Sequence, residues 1–330
     1  MGNSIKQRVI WIDWAKAILI YLMVVGHCLP APWQGTLIYA FHMPAFFMIS
    51  GYLFHEHHWW KTMKSFVVPV AFFSMINFVI YLIPKLAKGT FSSVHLLEKV
   101  LVPFWGPGSL PADDYIILFP GVWFIIALLL GRLLMGDLKM MSWVTKYWKQ
   151  VFCILIMFLT LEPWLIPDNP LRSYKFYLVI PSLPFMLLGY GMKDWFKVDK
   201  IKPWMALIGC AAFVAISLFY GRAEILKCQY GNYYILYFLN AVLGSVVFFY
   251  ISSKFRRNYI IEIFSKGTLL ILAFNIVLHS YISAAFTAVG FGFIVNEKNL
   301  FPWFEALLIM LICYWPIKWM LNKYPVLLGK

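Results

Sequence analysis

Charged side chains are scarce in this chain. Asp, Glu, Lys and Arg make up 13% of its 330 residues, whereas apolar residues make up 62%. A water-soluble globule needs a much larger polar surface, so the composition excludes that class of protein. Linkers, low-complexity tracts and internal repeats are also missing. We therefore expect residues 1–330 to form a single membrane domain with no separate soluble domain.

Cysteines are few, and the five present show no metal-binding spacing. Most fall within apolar segments, where a thiol acts as a small packing group. A disulfide between Cys28 and Cys228, both near one membrane face, is the alternative. A cleavable signal peptide is not expected, because the first apolar run is long, carries charges and leads directly into a second.

Apolar runs of about 20 residues, the length that crosses a bilayer, recur along the chain. They predict an all-α integral membrane bundle of about ten transmembrane helices. The runs lie near residues 11–30, 35–54, 64–84, 116–135, 148–167, 176–195, 204–220, 233–252, 266–288 and 303–321.

Basic residues are unevenly distributed between the loops of this predicted bundle. With the N-terminus inside, the inner segments, beginning with Lys6 and Arg8, hold eighteen Lys and Arg residues and the outer ones hold eight. Since cytoplasmic loops retain positive charge, this distribution predicts cytoplasmic N- and C-termini. The formal net charge of +14 is thereby explained as a topology signal, and no nucleic-acid partner is expected.

The first apolar stretch, IDWAKAILIYLMVVGH, contains Asp13, Lys16 and His27. A charged group near the bilayer centre costs roughly 2.5 to 3.5 kcal/mol, so these residues need an explanation. On a helix Lys16 and His27 share a face and lie roughly 16 Å apart along the axis. Asp13, three residues earlier, is placed to pair with Lys16. Taken alone, the helix fits two interpretations equally: an internal functional line, or an interfacial pair with a core histidine.

Two further histidines favour the functional interpretation. His42 lies in the second segment, TLIYAFHMPAFFMISGYLF, and His279 in the ninth, GTLLILAFNIVLHSYISAA. The predicted topology places both in the same half of the membrane as His27. Three buried imidazoles at similar depth on three helices are difficult to attribute to packing.

These residues carry a family resemblance. The D-W-x-K start, the pair Lys16 and His27 with ten residues between them, and FHMPAFFMISGYLF resemble the integral-membrane acyltransferase family 3, which includes O-antigen and fucose O-acetylases. KTMKSFVVP, GVWFIIALL and SKGTLLILAFNIVLH are similar to later family segments. Lysine stands at Lys16, Lys61 and Lys64 where arginine is frequent, so a bidentate phosphate contact becomes a point charge.

The resemblance implies transfer of an acetyl group from cytoplasmic acetyl-CoA to a hydroxyl of a carbohydrate or lipid-linked glycan, in a bacterial-type inner cell membrane. Lys61, Lys64 and Lys16 would bind CoA phosphates, with Asp13 steadying Lys16. His27 would act as general base or carry the acyl group covalently. The remaining histidines, His42 and His279, would orient the base or stabilise the oxyanion.

Other interpretations compete with this one. The HEHH tract at residues 55–58 is typical of metal binding, but no second ligand cluster accompanies it, and no metal is expected. Glu162 and Asp114 would bind sugar hydroxyls or, more simply, be solvated interface residues. A glycan or lipid transporter or flippase also suits intramembrane charge, although such carriers often show two related halves that this sequence lacks. A structural partner in a membrane complex would leave the ionisable line unexplained.

Overall fold

The computed structural model describes residues 9–107, 115–231 and 233–330. Lys6, Arg8 and Asp114 lie outside them. Across the described residues the regular structure is helical apart from an isolated bridge between Glu224 and Gln229, which confirms the all-α prediction. The α-helices are α1 Ile10–His27, α2 Pro32–Tyr52, α3 Trp59–Ala87, α4 Leu96–Trp105, α5 Val122–Arg132, α6 Trp143–Lys146, α7 Trp148–Leu165, α8 Val179–Met192, α9 Pro203–Tyr220, α10 Tyr234–Ser253, α11 Tyr259–Lys266, α12 Thr268–Ala288, α13 Gly292–Val295 and α14 Phe301–Lys323.

Eight helical segments in the described part of the chain are long and apolar enough to cross a membrane. They are α1, α3, α7, α9, α10, α12, α14 and Lys175–Met192, which contains α8. Of the two other predicted spans, α2 has 21 residues but includes polar ones such as Gln34 and His42, and α5 has 11 residues. The count of ten and the cytoplasmic termini remain predictions.

Helix α2 occupies the interior of the bundle and packs against α1, α8, α9 and α10. Its approach to α8 depends on two glycines. A methyl group on Gly51 would overlap the carbonyl of Met186, and one on Gly189 would overlap that of Met48. Small residues allow such close helix packing within membranes. Gln34 and His42 of α2 are 7% and 2% exposed, so protein surrounds these polar side chains. Their burial explains how a span with a histidine at its middle is accommodated.

The peripheral helices expose large apolar side chains. Leu161 and Trp164 on α7, and Leu207 and Phe219 on α9, have exposed fractions of 47%, 68%, 73% and 90%. An apolar surface of this extent is incompatible with water and suits lipid tails. The protein is a multi-pass integral membrane protein.

Helix α1 defines two ends of the bundle. We call the end where it begins, near Asp13 and Lys16, the lysine end, and the end where it finishes, at His27, the histidine end. Helix α2 starts at the histidine end, where the Ala31 N–H donates to the carbonyl of Lys298 over 2.8 Å. All five cysteines are free, so the alternative of a disulfide between Cys28 and Cys228 is not realised.

Candidate active site

A cavity of about 360 Å³ opens at the lysine end, between α1, α2, α3 and α5. Its polar lining is predominantly basic, and we call it the basic cavity. The basic side chains that line it are Lys16, His57, Lys61, Arg132, Lys266 and Lys330. A concentration of cations at a cavity mouth attracts phosphates and other anions.

A second cavity of about 240 Å³ lies further along α1 and contains both His27 and His42. We call it the histidine cavity. The two cavities share four lining side chains, Met23, Met43, Phe124 and Leu272. They are therefore adjacent along the bundle, with an apolar partition between the basic groups and the imidazoles.

His27 is held by Asn275 of α12. Its Nδ1 lies 2.6 Å from the Asn275 Oδ1, and the Asn275 amide nitrogen donates to the carbonyls of Leu272 and Ile271 over 2.7 and 3.3 Å. Because the amide nitrogen is committed to these carbonyls, the oxygen must accept, and His27 Nδ1 carries the proton. The remaining nitrogen, Nε2, is then a proton acceptor, as a general base requires.

His42 is arranged in a similar way within α2. Its Nδ1 donates to the carbonyl of Ile38 over 2.7 Å, and its side chain is 2% exposed. A neutral His42 therefore presents Nε2 as an acceptor. It brings a second acceptor to the histidine cavity, which fits the predicted orienting role better than donation to an oxyanion.

Tyr237 is a site residue that sequence reasoning missed. It lines the histidine cavity, is 3% exposed, and its hydroxyl has no hydrogen-bond partner among the described residues. A buried tyrosine hydroxyl normally finds a partner, so this one is available to a bound molecule. The sequence signal was weak, because tyrosines are common at membrane interfaces.

His279 lies outside the lining of the histidine cavity. Its Nδ1 is 3.0 Å from the Glu305 Oε1, which also accepts from the Ser283 hydroxyl over 3.2 Å. Glu305 is fully buried. The structure thus pairs His279 with a carboxylate beside the site, and its predicted catalytic role remains a prediction.

Potential metal ligands occur together at one place among the described residues. One donor atom from each of Cys28, His279 and Glu305 lies within 4.8 Å of the other two, a set of types that zinc accepts. The histidines of the HEHH tract have separate partners instead. His55 forms a hydrogen bond with the carbonyl of Leu53, and His58 caps α3. The expectation that no metal is needed remains a prediction.

The wall of the basic cavity is organised by Asp137, which is 2% exposed. Its carboxylate accepts from the His57 N–H over 2.8 Å and from the Thr62 hydroxyl over 2.6 Å, and lies 3.3 Å from the Arg132 Nε. Arg132 was missed from the sequence. The signal was present, since it is a basic residue at the last position of an apolar helix.

The predicted donor-binding residues separate into two groups. Lys16 and Lys61 line the basic cavity. Lys64 is not among its lining residues, and its ammonium lies 5.4 Å from the centre of the Trp60 ring. Asp13 also lies outside the lining and accepts a hydrogen bond from the Ser265 hydroxyl over 2.7 Å. Its predicted pairing with Lys16 remains a prediction.

Comparison with known families decides the class of protein to which this site belongs. The family model described as an acyltransferase domain, Acyl_transf_3, matches residues 9–319. The chain belongs to acyltransferase family 3. The match includes the histidine cavity and, apart from residues 328–330, the lining of the basic cavity. It confirms the resemblance seen in the sequence, so the protein is a membrane acyltransferase. No curated protein and no solved structure matches the chain.

Proposed function

We propose that this acyltransferase moves an acetyl or related acyl group from acyl-CoA to a hydroxyl of a carbohydrate or lipid-linked glycan. The observation that carries the proposal is the alignment of the two cavities, one basic and one holding two anchored imidazoles, along a single helix. Acyl-CoA is an elongated molecule with phosphates at one end and a thioester at the other. Its phosphates suit the basic cavity, and its thioester suits the histidine cavity.

In this proposal the basic cavity receives the nucleotide end of the donor. Lys16, Lys61 and Arg132 contact its phosphates through charge-assisted hydrogen bonds. The pantetheine arm passes between the shared apolar side chains, among which the flexible Met23 and Met43 adapt to its width. The thioester then reaches the histidine cavity.

The reaction is general-base catalysis at His27. Its Nε2 takes the proton of the acceptor hydroxyl as that oxygen forms a bond to the thioester carbon. The carbon–sulfur bond breaks, and the proton passes from His27 to the departing sulfur. Asn275 accepts from Nδ1 throughout and stabilises the imidazolium. The alternative, an acyl group carried on His27 itself, uses the same cavity and the same leaving group.

Two neighbours assist His27. The Tyr237 hydroxyl donates to the oxygen that becomes negative as the tetrahedral intermediate forms, the role of an oxyanion donor. His42 accepts a hydrogen bond from the acceptor molecule and fixes its orientation. The pair of His279 and Glu305 supports α12, the helix that carries Asn275.

Labelled acetyl-CoA tests the proposal. Purified protein in nanodiscs is incubated with the donor and extracted membrane glycans, and the glycans are analysed by mass spectrometry. We expect label in an ester on a glycan, and none with the His27→Ala protein. If the label stays on CoA, and the same protein reconstituted in sealed vesicles moves glycan across the bilayer, the protein is a carrier instead.

A further inference from the structure

A third cavity of about 490 Å³ opens at the histidine end. Its lining comes from the end of α7, the loop that follows, and the loop between α9 and α10. The polar side chains in the lining include Glu162, Arg172, Arg222, Gln229, Tyr230 and Tyr234. We call this cavity the arginine pocket. The proposed chemistry at His27 leaves these residues without a role.

Glu162 is an integral part of the pocket wall. It is 3% exposed and accepts hydrogen bonds from the Arg172 Nε over 2.9 Å, the Asn169 amide over 2.7 Å and the Tyr177 hydroxyl over 3.2 Å. The interpretation of Glu162 as a solvated interface residue was wrong, because the loop after α7 folds back over it. Hydrogen bonding to Glu162 is the main cause that raises the pKa of Arg172.

The second arginine is neutralised as well. Arg222 forms an ion pair with Glu224, and its guanidinium lies 4.2 Å from the centre of the Tyr39 ring. Each arginine of the lining is therefore paired with a glutamate. A third cation, Lys227, lies outside the lining, and its exposed ammonium is 3.6 Å from the Glu224 carboxylate. Guanidinium groups have five N–H donors, so some remain available after the pairing. The lining thus offers hydrogen-bond donors whose charge is already compensated by glutamates, which suits a neutral ligand rich in hydroxyls.

The arginine pocket and the histidine cavity share a wall. Glu224 lines the histidine cavity, whereas its partner Arg222 lines the arginine pocket. The Tyr230 ring of the pocket lies 5.4 Å from the ring of Tyr237, the hydroxyl donor proposed above. A molecule bound in the pocket is therefore positioned beside the reacting groups.

The geometry points to the arginine pocket as the acceptor subsite, which binds an uncharged sugar ring while an adjoining part of the same acceptor presents its hydroxyl to His27. This inference rests on the proposed function. Tyr230 and Tyr234 supply aromatic surface for the apolar face of the ring. The Gln229 amide and the arginine N–H groups supply donors for its hydroxyls.

The test uses two sugar probes, methyl β-glucopyranoside and methyl β-glucuronide, with purified protein in nanodiscs. Saturation-transfer NMR measures the binding of each. We expect the neutral glucoside to bind more tightly than the anionic glucuronide. The Gln229→Ala protein, which breaks no ion pair, should bind the glucoside about tenfold more weakly, the cost of one or two lost hydrogen bonds.

A double variant and a matched control complete the design. Arg222→Gln with Glu224→Gln removes both charges together, so no buried carboxylate is left unpaired, and glucoside binding should be lost. Lys298→Gln changes an exposed charge at the same end of the bundle, outside the pocket lining, and should have no effect. A glucuronide preference, no sugar binding, or unchanged binding in Gln229→Ala overturns the inference.

Calorimetric titration of the same samples with acetyl-CoA distinguishes this failure from that of the proposed function. If acetyl-CoA binds and neither sugar does, the subsite is wrong and the donor assignment stands. If the glucoside binds through Gln229 and acetyl-CoA does not, the pocket stands and the donor proposal fails.

Discussion

The lysine end and the histidine end of the bundle differ in how their polar groups are held. At the lysine end, Lys61 is exposed, and several basic side chains from different elements share one cavity. At the histidine end, His42 and Asn275 are 2% and 0% exposed, and each polar atom that we assign has a defined partner or faces the cavity.

This difference separates two physical tasks. Binding polyphosphate depends on summed charge, so several basic groups contribute and each is partly replaceable. Proton transfer depends on one nitrogen in one tautomer at one position, and a misplaced catalytic group contributes little to the rate. The comparison therefore predicts large single-residue effects at the histidine end and small, distributed ones at the lysine end.

The largest effect is expected from His27→Ala. Removal of a positioned general base lowers the rate by roughly 10² to 10⁴-fold. Acetyl-CoA binding should be unchanged, because the basic cavity is intact. Stopped-flow or radiolabel assays measure the rate, and calorimetry measures binding.

His58→Ala provides a matched control, since His58 is exposed and caps α3 at the other end. It should retain the wild-type rate. Retention of most of the acyl-transfer rate by the His27→Ala protein would make His27 a packing residue.

A smaller effect is expected from Asn275→Ala. Without the Asn275 oxygen, His27 is no longer held with its proton on Nδ1, so part of the population has Nε2 protonated. A positioned general base is worth roughly 10² to 10⁴-fold, so loss of the group that orients it should cost part of this, about tenfold to a hundredfold. The turnover number should fall while the KM for acetyl-CoA stays constant. Chemical shifts of ¹⁵N-labelled histidine report the tautomer, and an unchanged tautomer would assign Asn275 to packing alone.

The membrane class and the helical architecture could be predicted from the sequence, because bilayer length and apolar composition act on each segment separately. Helix α2 and the segment of α5 are harder to identify as membrane spans from the sequence, since their burial depends on the neighbouring helices. A span packed inside the bundle can carry Gln34 and His42 without contact with lipid. Composition alone does not distinguish it from a weaker span.

The candidate site could be predicted only in part. Spacing along α1 places Lys16 and His27 on one face, and both line cavities in the structure. Asn275, Tyr237 and Arg132 reach the cavities through packing between distant segments. No spacing rule within a single helix connects them to His27.

A modest effect is expected when the lysine end is tested residue by residue. Lys61→Ala removes a charge from the basic cavity, and an exposed charge contact is worth about 0.5 to 1 kcal/mol. The KM for acetyl-CoA should rise about twofold to fivefold, with the turnover number unchanged. Lys64→Ala is the matched control three residues further along α3, because the Lys64 ammonium lies over the Trp60 ring and outside the cavity lining.

The comparison of Lys61 with Lys64 can also contradict the assignment of the donor phosphates to the basic cavity. If Lys64→Ala raises the donor KM as much as Lys61→Ala does, the phosphates bind outside the basic cavity. Steady-state kinetics at two ionic strengths, with acetyl-CoA varied, is sufficient, because a phosphate contact weakens as salt increases.

The smallest effect is expected from pH, through His57 in the loop between α2 and α3. Partial burial, with the charges of Arg132 and Lys61, lowers the pKa of His57 below its ordinary value of 6.5. His57 is therefore neutral at pH 7 and becomes charged only as the pH falls through that lowered pKa. A bound phosphate favours the charged form, so the donor should bind more tightly in acid, by about twofold to threefold for one partly exposed charge contact. Calorimetric titration of acetyl-CoA between pH 7.5 and 5.5 measures the effect, and His57→Gln isolates it from protonation of the phosphates themselves. An identical pH profile in the two proteins would show that His57 does not contact the donor.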